Sequence, residues 1–279
     1  MNYPLIDGRS AFDAVILCDG DFPVHRIPLS VLRASTFLCC CDNAGMTALS
    51  HGLTPDAIVG DGDSMPSGFI ESHRDIIHII EEQDDNDQTK ATRYCIGKGF
   101  RHIAYLGSTG KREDHMLGNI SLLARYMRDF GVMPVMITDN GYFIPAKGVN
   151  TFATFRRQQV SIFNLSCRRL TGEGLKWQPY AYTAMWQGTL NEAAGSSITL
   201  DGDGDYMVYL THDGKKTEPA HTAGRSFPIG FRCRFKDFLL PLHRFFNINI
   251  YVQTNFQHAH SSYLHAFHAQ ELRLVQLSG

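Results

Sequence analysis

The chain has 279 residues, of which 43% are hydrophobic and 19% are charged, and its formal net charge is −2. This composition is ordinary for a globular protein of one large domain or two, and the small charge gives no reason to expect a nucleic acid or a membrane as a partner. No apolar run approaches the roughly 20 residues of a membrane-spanning helix. We expect no signal peptide, because the N-terminus lacks a basic segment followed by an apolar one.

The first half of the chain alternates short apolar runs with segments of helical character. The apolar runs predict strands at residues 14–18, 37–41, 57–59, 76–80, 102–106 and 133–138. Two helices are predicted between them, one at 87–96 and one at 114–130, with Asp114 as N-cap and Gly131 as the C-terminal stop. Strands that alternate with helices predict an α/β fold, a doubly wound parallel sheet with helices on both faces.

The cysteines indicate a reducing compartment. There are seven, and three of them are consecutive, at Cys39, Cys40 and Cys41. Adjacent cysteines at the end of an apolar run are typically small buried residues rather than disulfide partners. The chain also has no C-x-x-C pair that would indicate zinc. We therefore expect a cytoplasmic protein.

The second half has a different pattern. Residues 158–166 and 196–214 are rich in β-branched and aromatic residues, which predicts a smaller antiparallel β-sandwich domain. The predicted domains are therefore 1–148, which is α/β, and 149–217, which is all β. Residues 218–279 are rich in His and Phe and have no sustained periodicity, so they are left as a C-terminal extension without a predicted fold.

Four polar clusters follow apolar runs in the first half, at residues 42–45, 61–64, 83–87 and 107–115. Each alone is typical of a solvated loop. Because the carboxyl ends of parallel strands meet at one edge of a sheet, however, the four clusters are expected to converge there. Repulsion among so many carboxylates requires a counter-charge, and Mg²⁺ prefers such oxygen ligands together with phosphate oxygens.

The fourth cluster could bind an anion. The turn from Gly107 to Gly110 leads into the second predicted helix, whose N-terminal N–H groups can hold phosphate, and Lys111 and Arg112 follow it. The turn is not a P-loop, because Tyr105 and Arg112 stand where that motif needs Gly and Ser or Thr.

Two further patterns suggest metal sites, but neither matches a known metal-binding motif. Residues 201–205 read DGDGD, yet Tyr206 and His212 occupy the positions where an EF-hand needs Gly and Glu, so a hairpin turn is predicted there. A histidine group in the extension has no accompanying Cys or acidic pattern that would indicate zinc; its members are His258, His260, His265 and His268.

Taken in order, the clusters resemble the motifs of the thiamin pyrophosphokinase family. The segments are CDNAG, VGDGDSMP, QDDNDQTKA and GSTGKREDHMLGN, and the resemblance covers about residues 12–212. The chain departs from the family pattern at Asn86, where Thr is usual, and at Lys111, where a Gly is usual. It also reads Leu190-Asn191-Glu192 in place of S-N-E.

The resemblance implies a reaction and a set of site residues. The family transfers a diphosphoryl group from ATP to thiamin, leaving AMP, and commonly acts as a homodimer. The implied Mg²⁺ ligands are Asp61, Asp63 and Asp87, which with Asp42 form the implied catalytic set. The implied nucleotide-binding residues are Thr109, Lys111, Arg112, Asp114 and Asn119. The implied thiamin-binding residues are Gln83, Trp186 and Asn191.

Two other functions are compatible with the motifs. One is a different Mg²⁺-dependent phosphoryl or nucleotidyl transferase on the same kind of sheet. The other is a non-catalytic module that binds a nucleotide or thiamin. The presence of Asp61, Asp63 and Asp87 together argues against the second, because a binding module has little need of a complete metal site.

Overall fold

The computed structural model describes residues 1–215. The predicted extension 218–279 and its histidine group lie outside the described residues. Within residues 1–215 the strands are β1 (Asn2–Tyr3), β2 (Ala14–Leu17), β3 (Leu38–Cys41), β4 (Ala57–Gly60), β5 (Ile77–Ile79), β6 (His102–Leu106), β7 (Met133–Ile137), β8 (Gly141–Ala153), β9 (Gln158–Asn164), β10 (Leu170–Glu173), β11 (Asn191–Glu192) and β12 (Ser197–Gly214). The helices are α1 (Arg26–Arg33), α2 (Ala44–Ser50), α3 (Ser67–Ser72), α4 (Asp87–Gly97) and α5 (Glu113–Phe130), with a 3₁₀ turn at Met185–Gly188.

The first half forms a doubly wound parallel sheet, as predicted. All six predicted strands are present, and their order across the sheet is β5-β4-β3-β2-β6-β7. The chain moves outward from β2 on one side and then returns to place β6 on the other. A crevice therefore opens between the carboxyl ends of β2 and β6, which is where such sheets bind ligands.

Helices cover both faces of this sheet. Successive residues of β2 point to opposite faces, so Val15 belongs to one apolar cluster and Ile16 to the other. Helices α1 and α2 pack against the first cluster, to which they contribute Val31 and Ala48. Helices α4 and α5 pack against the second, to which they contribute Cys95 and Leu123. No helix within residues 1–215 is long and apolar enough to cross a membrane.

The two predicted helices form close to their expected bounds. α4 begins at Asp87, capped by the Asn86 side chain, which accepts a hydrogen bond from the Thr89 N–H at 3.0 Å. α5 ends at Gly131, whose φ of 64° is the left-handed conformation expected of a C-terminal stop. The prediction that Asp114 caps α5 is wrong: the helix begins one residue earlier and Arg112 occupies the cap position.

The second half is an antiparallel, sandwich-like arrangement whose main sheet continues the parallel one. β8 runs antiparallel to β7, and β12 lies between β8 and β9. The predicted domain boundary between residues 148 and 149 lies inside β8, whereas the strand direction reverses before it, between β7 and β8. The boundaries themselves remain predictions.

The hairpin predicted at residues 201–205 does not form. β12 continues through this segment as one strand, with a bulge between Gly202 and Asp205. The acidic side chains are paired with arginines of the preceding loop instead of facing a turn: Arg169 binds Asp201 through two hydrogen bonds of 2.8 and 3.1 Å, and Asp203 accepts the Arg168 and Arg169 backbone N–H groups.

Candidate active site

A cavity of about 650 Å³ opens at the switch point of the sheet. Its walls come from the segments after β2, β3, β4, β5 and β6 and from the N-terminal parts of α4 and α5. All four polar clusters of the first half contribute lining residues, so the predicted convergence is confirmed. Of the residues implied by the resemblance, the lining includes Asp42, Asp61, Gln83, Asp87, Lys111, Arg112 and Asn119.

Two backbone loops in close contact shape one side of the cavity. The Gly20 N–H donates to the Gly107 carbonyl at 2.7 Å, and the Asp21 N–H donates to the Thr109 carbonyl at 2.8 Å. A Cβ at Gly20 would lie 2.3 Å from both of those carbonyl oxygens, so only glycine fits. Because Gly20 follows β2 and Gly107 follows β6, this contact fixes the two sides of the switch point relative to each other.

Asp42 lies at the floor of the cavity with one unpaired oxygen. The residue is 7% exposed, and its φ of 44° is a left-handed conformation that aspartate tolerates better than most residues. The Ser64 hydroxyl donates to Oδ2, whereas Oδ1 is buried and has no hydrogen-bond partner among the described residues. A Cβ at position 60 would lie 2.8 Å from the Asp42 Cβ, so Gly60 makes room for this carboxylate.

Asp61 and Asp87 meet across a buried lysine. The Lys90 side chain is 2% exposed, and its Nζ lies 3.6 Å from Oδ2 of Asp61 and 3.5 Å from Oδ1 of Asp87. The Asp63 backbone N–H donates to Asp61 at 3.2 Å and is the main cause that lowers the pKa of Asp61. Burial raises the pKa of Asp87, and Lys90 opposes that rise.

Asp63 differs from the other implied metal ligands. Its side chain is exposed and does not line the cavity, and its contribution in this structure is the backbone hydrogen bond to Asp61. Within residues 1–215 no three His, Cys, Asp or Glu side chains already surround one point as metal ligands would. The carboxylate oxygens nonetheless suit Mg²⁺, because the unpaired Oδ1 of Asp42 requires a cation or a donor.

The basic turn before α5 has an unusual backbone. Lys111 stands where the family usually has glycine, and it keeps a left-handed φ of 52°. Its ammonium group forms an ion pair with Asp19 across the crevice, at 3.0 Å. Arg112 binds Asp114 through two hydrogen bonds, at 3.1 and 2.6 Å, and this pairing lowers the pKa of Asp114 to about 2. Both side chains of that pair are exposed and lie beside the cavity mouth.

The remaining residues implied at the nucleotide and thiamin sites have mixed placements. Asn119 holds the wall together: its amide donates to the Ser108 carbonyl at 2.9 Å and its oxygen accepts from Asn86 at 2.9 Å. Thr109 does not line the cavity, and its carbonyl is the group that contacts the β2 loop. Gln83 is exposed at the rim, and its amide donates to Asp61 at 3.4 Å.

Asn191 and Trp186 do not reach this cavity. Asn191 is buried in the β half, where its amide donates to the Trp177 carbonyl at 2.8 Å and its oxygen accepts the Trp177 N–H at 3.2 Å. Trp186 lies on the 3₁₀ turn and is 73% exposed. The structure therefore brings the carboxylates and the basic turn together and leaves these two residues apart from them.

The residue-level predictions missed Lys90 and assigned no role to Asp85. Lys90 lies three positions after Asp87, a spacing that places both on one face of a helix, and this was the available signal. Asp85 lies in the acidic segment but carries a structural role: its carboxylate is 2.6 Å from Arg93 and 2.8 Å from Arg125, which joins α4 to α5. Nothing in the local sequence distinguishes the role of Asp85 from that of Asp87.

Comparison with known proteins gives one consistent family. Residues 29–134 match the family described as thiamin pyrophosphokinase, catalytic domain, and residues 141–209 match the one described as thiamin pyrophosphokinase, substrate-binding domain. The thiamine pyrophosphokinase of Bacillus subtilis is 35% identical over 86 residues, which are 29% of this chain and 40% of that protein. This sequence match thus spans less than half of the relative's length.

Solved structures share the fold. The crystal structure of the Bacillus subtilis enzyme has a TM-score of 0.59 and 21% identity, and the match covers 72% of this chain and 99% of that one. The thiamin pyrophosphokinase of Candida albicans has a TM-score of 0.61 and 17% identity, over 76% of this chain and 92% of that one. At these identities the likeness establishes the fold of the described part.

Proposed function

Because the chain belongs to the thiamin pyrophosphokinase family, we propose that it transfers the diphosphoryl group of ATP to the hydroxyl oxygen of thiamin and releases AMP. The observation that carries this proposal is the cavity at the switch point, which places Asp42, Asp61 and Asp87 opposite a basic turn. Carboxylates on one side and cations on the other are what a metal-bound polyphosphate needs.

We propose that Mg²⁺ is held by Asp61 and Asp87, with Asp42 supplying its unpaired Oδ1. Asp63 supports the site by donating its backbone N–H to Asp61 and by adding its own charge at the rim. When bound, Mg²⁺ would neutralise charge on the phosphate oxygens. Lys90 keeps the two carboxylates together by its contacts to both of them.

The nucleotide is assigned to the basic turn. Arg112 has a planar guanidinium that can bind two phosphate oxygens at once, and Asp114 already holds it in a two-hydrogen-bond geometry. Lys111 can exchange its contact with Asp19 for a phosphate oxygen. Thr109 contributes its backbone carbonyl, which fixes the turn against the loop after β2. Asn119 contributes its side-chain amide, which stabilises the wall of the cavity. Positioning of the phosphates then supplies much of the rate enhancement.

Thiamin is assigned to the rim and to a second copy of the chain. Gln83 lies at the rim of the cavity, whereas Trp186 and Asn191 lie away from it in the same chain. Large apolar side chains are exposed along the segment that carries them, namely Trp177, Tyr180, Met185, Trp186 and Leu190. Exposed apolar clusters of this kind mark interfaces, so we propose a homodimer in which the β half completes the thiamin site.

A cytoplasmic location accompanies this proposal. Six cysteines fall in the described part of the chain and all are free thiols. Free buried thiols are typical of proteins from reducing compartments.

The test is product analysis. The chain is incubated with ATP, Mg²⁺ and thiamin, and we expect thiamin diphosphate and AMP in equal amounts. Formation of ADP, or nucleotide turnover that does not depend on thiamin, would indicate a different phosphoryl transferase. Binding of both substrates without any product would indicate a non-catalytic module.

A further inference from the structure

Two cysteine thiols meet at the floor of the cavity. Cys18 follows β2 and Cys41 ends β3, and their Sγ atoms are 3.7 Å apart. Both residues line the cavity, with exposed fractions of 8% and 3%. Cys18 Sγ also accepts a hydrogen bond from the Ser108 hydroxyl at 3.3 Å. Neither thiol has a place in the proposed transfer reaction.

The backbone beneath these thiols suits a disulfide. β2 and β3 are parallel neighbours in which Leu17 is paired with Cys40, so Cys18 and Cys41 are the next positions along the two strands. Neighbouring strands lie about 4.8 Å apart, which is within the Cα separation of about 4.4–6.8 Å found in disulfides. The two sulfurs would have to approach by about 1.6 Å to reach a bond length of about 2.05 Å.

A second cysteine pair provides a comparison. Cys39 and Cys95 belong to the same apolar cluster of the core, and both residues are 0% exposed. Neither lines the cavity. The two pairs therefore have similar chemistry and differ in access, because a small oxidant in the cavity can reach Cys18 but not Cys39 or Cys95.

We propose that Cys18 and Cys41 are a site of reversible oxidation, at which a peroxide converts the dithiol to a disulfide. Hydrogen peroxide oxidises the Cys18 thiol to a sulfenic acid and is itself reduced to one water. The Cys41 thiol then attacks that sulfur, the Sγ–Sγ bond forms, and a second water leaves. A dithiol reductant reverses the step by exchange.

The disulfide acts on the site described above, and this consequence rests on the proposed function. Asp42 directly follows Cys41, and Asp19, the partner of Lys111, directly follows Cys18. Drawing the two sulfurs together removes the hydrogen bond from Ser108 and displaces both strand ends. We therefore expect the oxidised chain to form thiamin diphosphate at least tenfold more slowly.

Mass spectrometry tests the linkage without any activity assay. Trypsin places Cys18 in peptide 10–26, Cys95 in peptide 94–98 and the consecutive cysteines in peptide 34–74. The full chain is treated with hydrogen peroxide, alkylated and digested without reduction. Cys233, which lies outside the described residues, is replaced by Ser in every variant so that it cannot exchange. We expect peptide 10–26 linked to 34–74, and its loss after treatment with dithiothreitol.

Matched variants locate the bond. The linkage should disappear in Cys18→Ser and Cys41→Ser and persist in Cys40→Ser and Cys95→Ser. Its absence from the oxidised parent, its persistence in Cys41→Ser, or linkage of peptide 94–98 alone would overturn the proposal. A linked chain that retains full activity would overturn the effect on the site. A reduced chain that makes no thiamin diphosphate would refute the proposed function and leave the linkage result intact.

Discussion

The ammonium nitrogen of Lys90 lies 3.6 Å from Oδ2 of Asp61, although Asp61 follows β4 and Lys90 belongs to α4. The lysine is 2% exposed and Asp61 is 22% exposed, so water screens the pair only in part. At this separation opposite charges near a protein surface attract by roughly 4 kcal/mol. Lys90 is therefore the counter-charge that allows Asp61 and Asp87 to lie close together before a metal binds.

Replacing Lys90 tests this role with two measurements that should move in opposite directions. In Lys90→Met the site loses a positive charge, so Mn²⁺ used as a probe should bind about tenfold more tightly, a change of about 1.4 kcal/mol. The transfer rate should fall at least tenfold, because the cavity loses a cation that can stabilise negative charge developing on the phosphate oxygens. Mn²⁺ binding is measured by electron paramagnetic resonance and the rate by thiamin diphosphate formation.

Lys98→Met is the matched control, because Lys98 caps the same helix and lies outside the cavity. It should leave both quantities unchanged. Weaker Mn²⁺ binding in Lys90→Met would mean that Lys90 serves the fold of α4 and not the charge of the site.

Asp61→Asn should reduce turnover by about a hundredfold while the fold survives. The substitution keeps the shape of the side chain and removes the charge proposed to hold Mg²⁺, which corresponds to about 3 kcal/mol of transition-state stabilisation. Asp63→Asn should reduce it as well, because Asp63 lies beside Asp61 and adds charge at the rim. Circular dichroism reports whether the variants fold, and formation of thiamin diphosphate reports their rate. The control is Asp75→Asn, at an exposed position outside the cavity, which should leave the rate unchanged. Near-normal rates in both Asp61→Asn and Asp63→Asn would exclude the metal site.

Arg112→Ala should raise the KM for ATP more than the KM for thiamin. The guanidinium lies at the mouth of the cavity and is held by Asp114, in a geometry suited to phosphate. Steady-state kinetics with each substrate varied in turn separates the two constants. Arg74→Ala removes a comparable exposed arginine that pairs with Glu71, and it should change neither constant. A change confined to thiamin would place the nucleotide elsewhere.

Gly20→Ala should disrupt the switch point. The added Cβ would lie 2.3 Å from the carbonyl oxygens of Gly107 and Thr109, and both are backbone atoms that cannot turn aside. We expect a loss of about 3 kcal/mol in the free energy of unfolding, together with a loss of activity.

Gly118→Ala is the control with the opposite expected sign. A Cβ at this position meets nothing within 4 Å, and the residue lies inside α5, so the free energy of unfolding should rise by about 0.5–1 kcal/mol. Urea unfolding measures the free energy of unfolding of both variants. Equal values for Gly20→Ala and Gly118→Ala would refute the steric argument.

The sequence was sufficient where a local pattern determines the structure. Apolar runs of three to six residues predicted all six parallel strands, since such runs are buried on both faces of the sheet. Gly131 marked the end of α5 because it takes the left-handed conformation. The convergence of the acidic clusters followed from topology, because the ends of parallel strands share one edge.

The sequence was insufficient where long-range contacts decide. The DGDGD segment has the composition of a turn, yet Arg169 pairs with Asp201 and the backbone of Arg168 binds Asp203, so the strand continues with a bulge. Asp85 and Asp87 are two residues apart and chemically alike, and the arginines of α4 and α5 determine that Asp85 has a structural role. Lys90 was part of a recognised motif, but its burial between two carboxylates could not be read from spacing alone.

A chain ending at Lys216 should be soluble and should form thiamin diphosphate at a rate close to that of the full chain. The described residues 1–215 belong to one compact unit, and the cavity residues all lie before residue 120. β12, the last described strand, is held on both sides by β8 and β9, and Lys215 still donates its N–H to the Arg157 carbonyl at 3.1 Å.

A second chain, ending at Leu210, should be destabilised. It lacks the last part of β12, including His212, whose ring contacts the Thr138 carbonyl. Thermal unfolding and product formation are compared for the three chains. If the chain ending at Lys216 is insoluble or inactive, residues after 216 belong to the folded unit, and the predicted boundary at 217 is wrong.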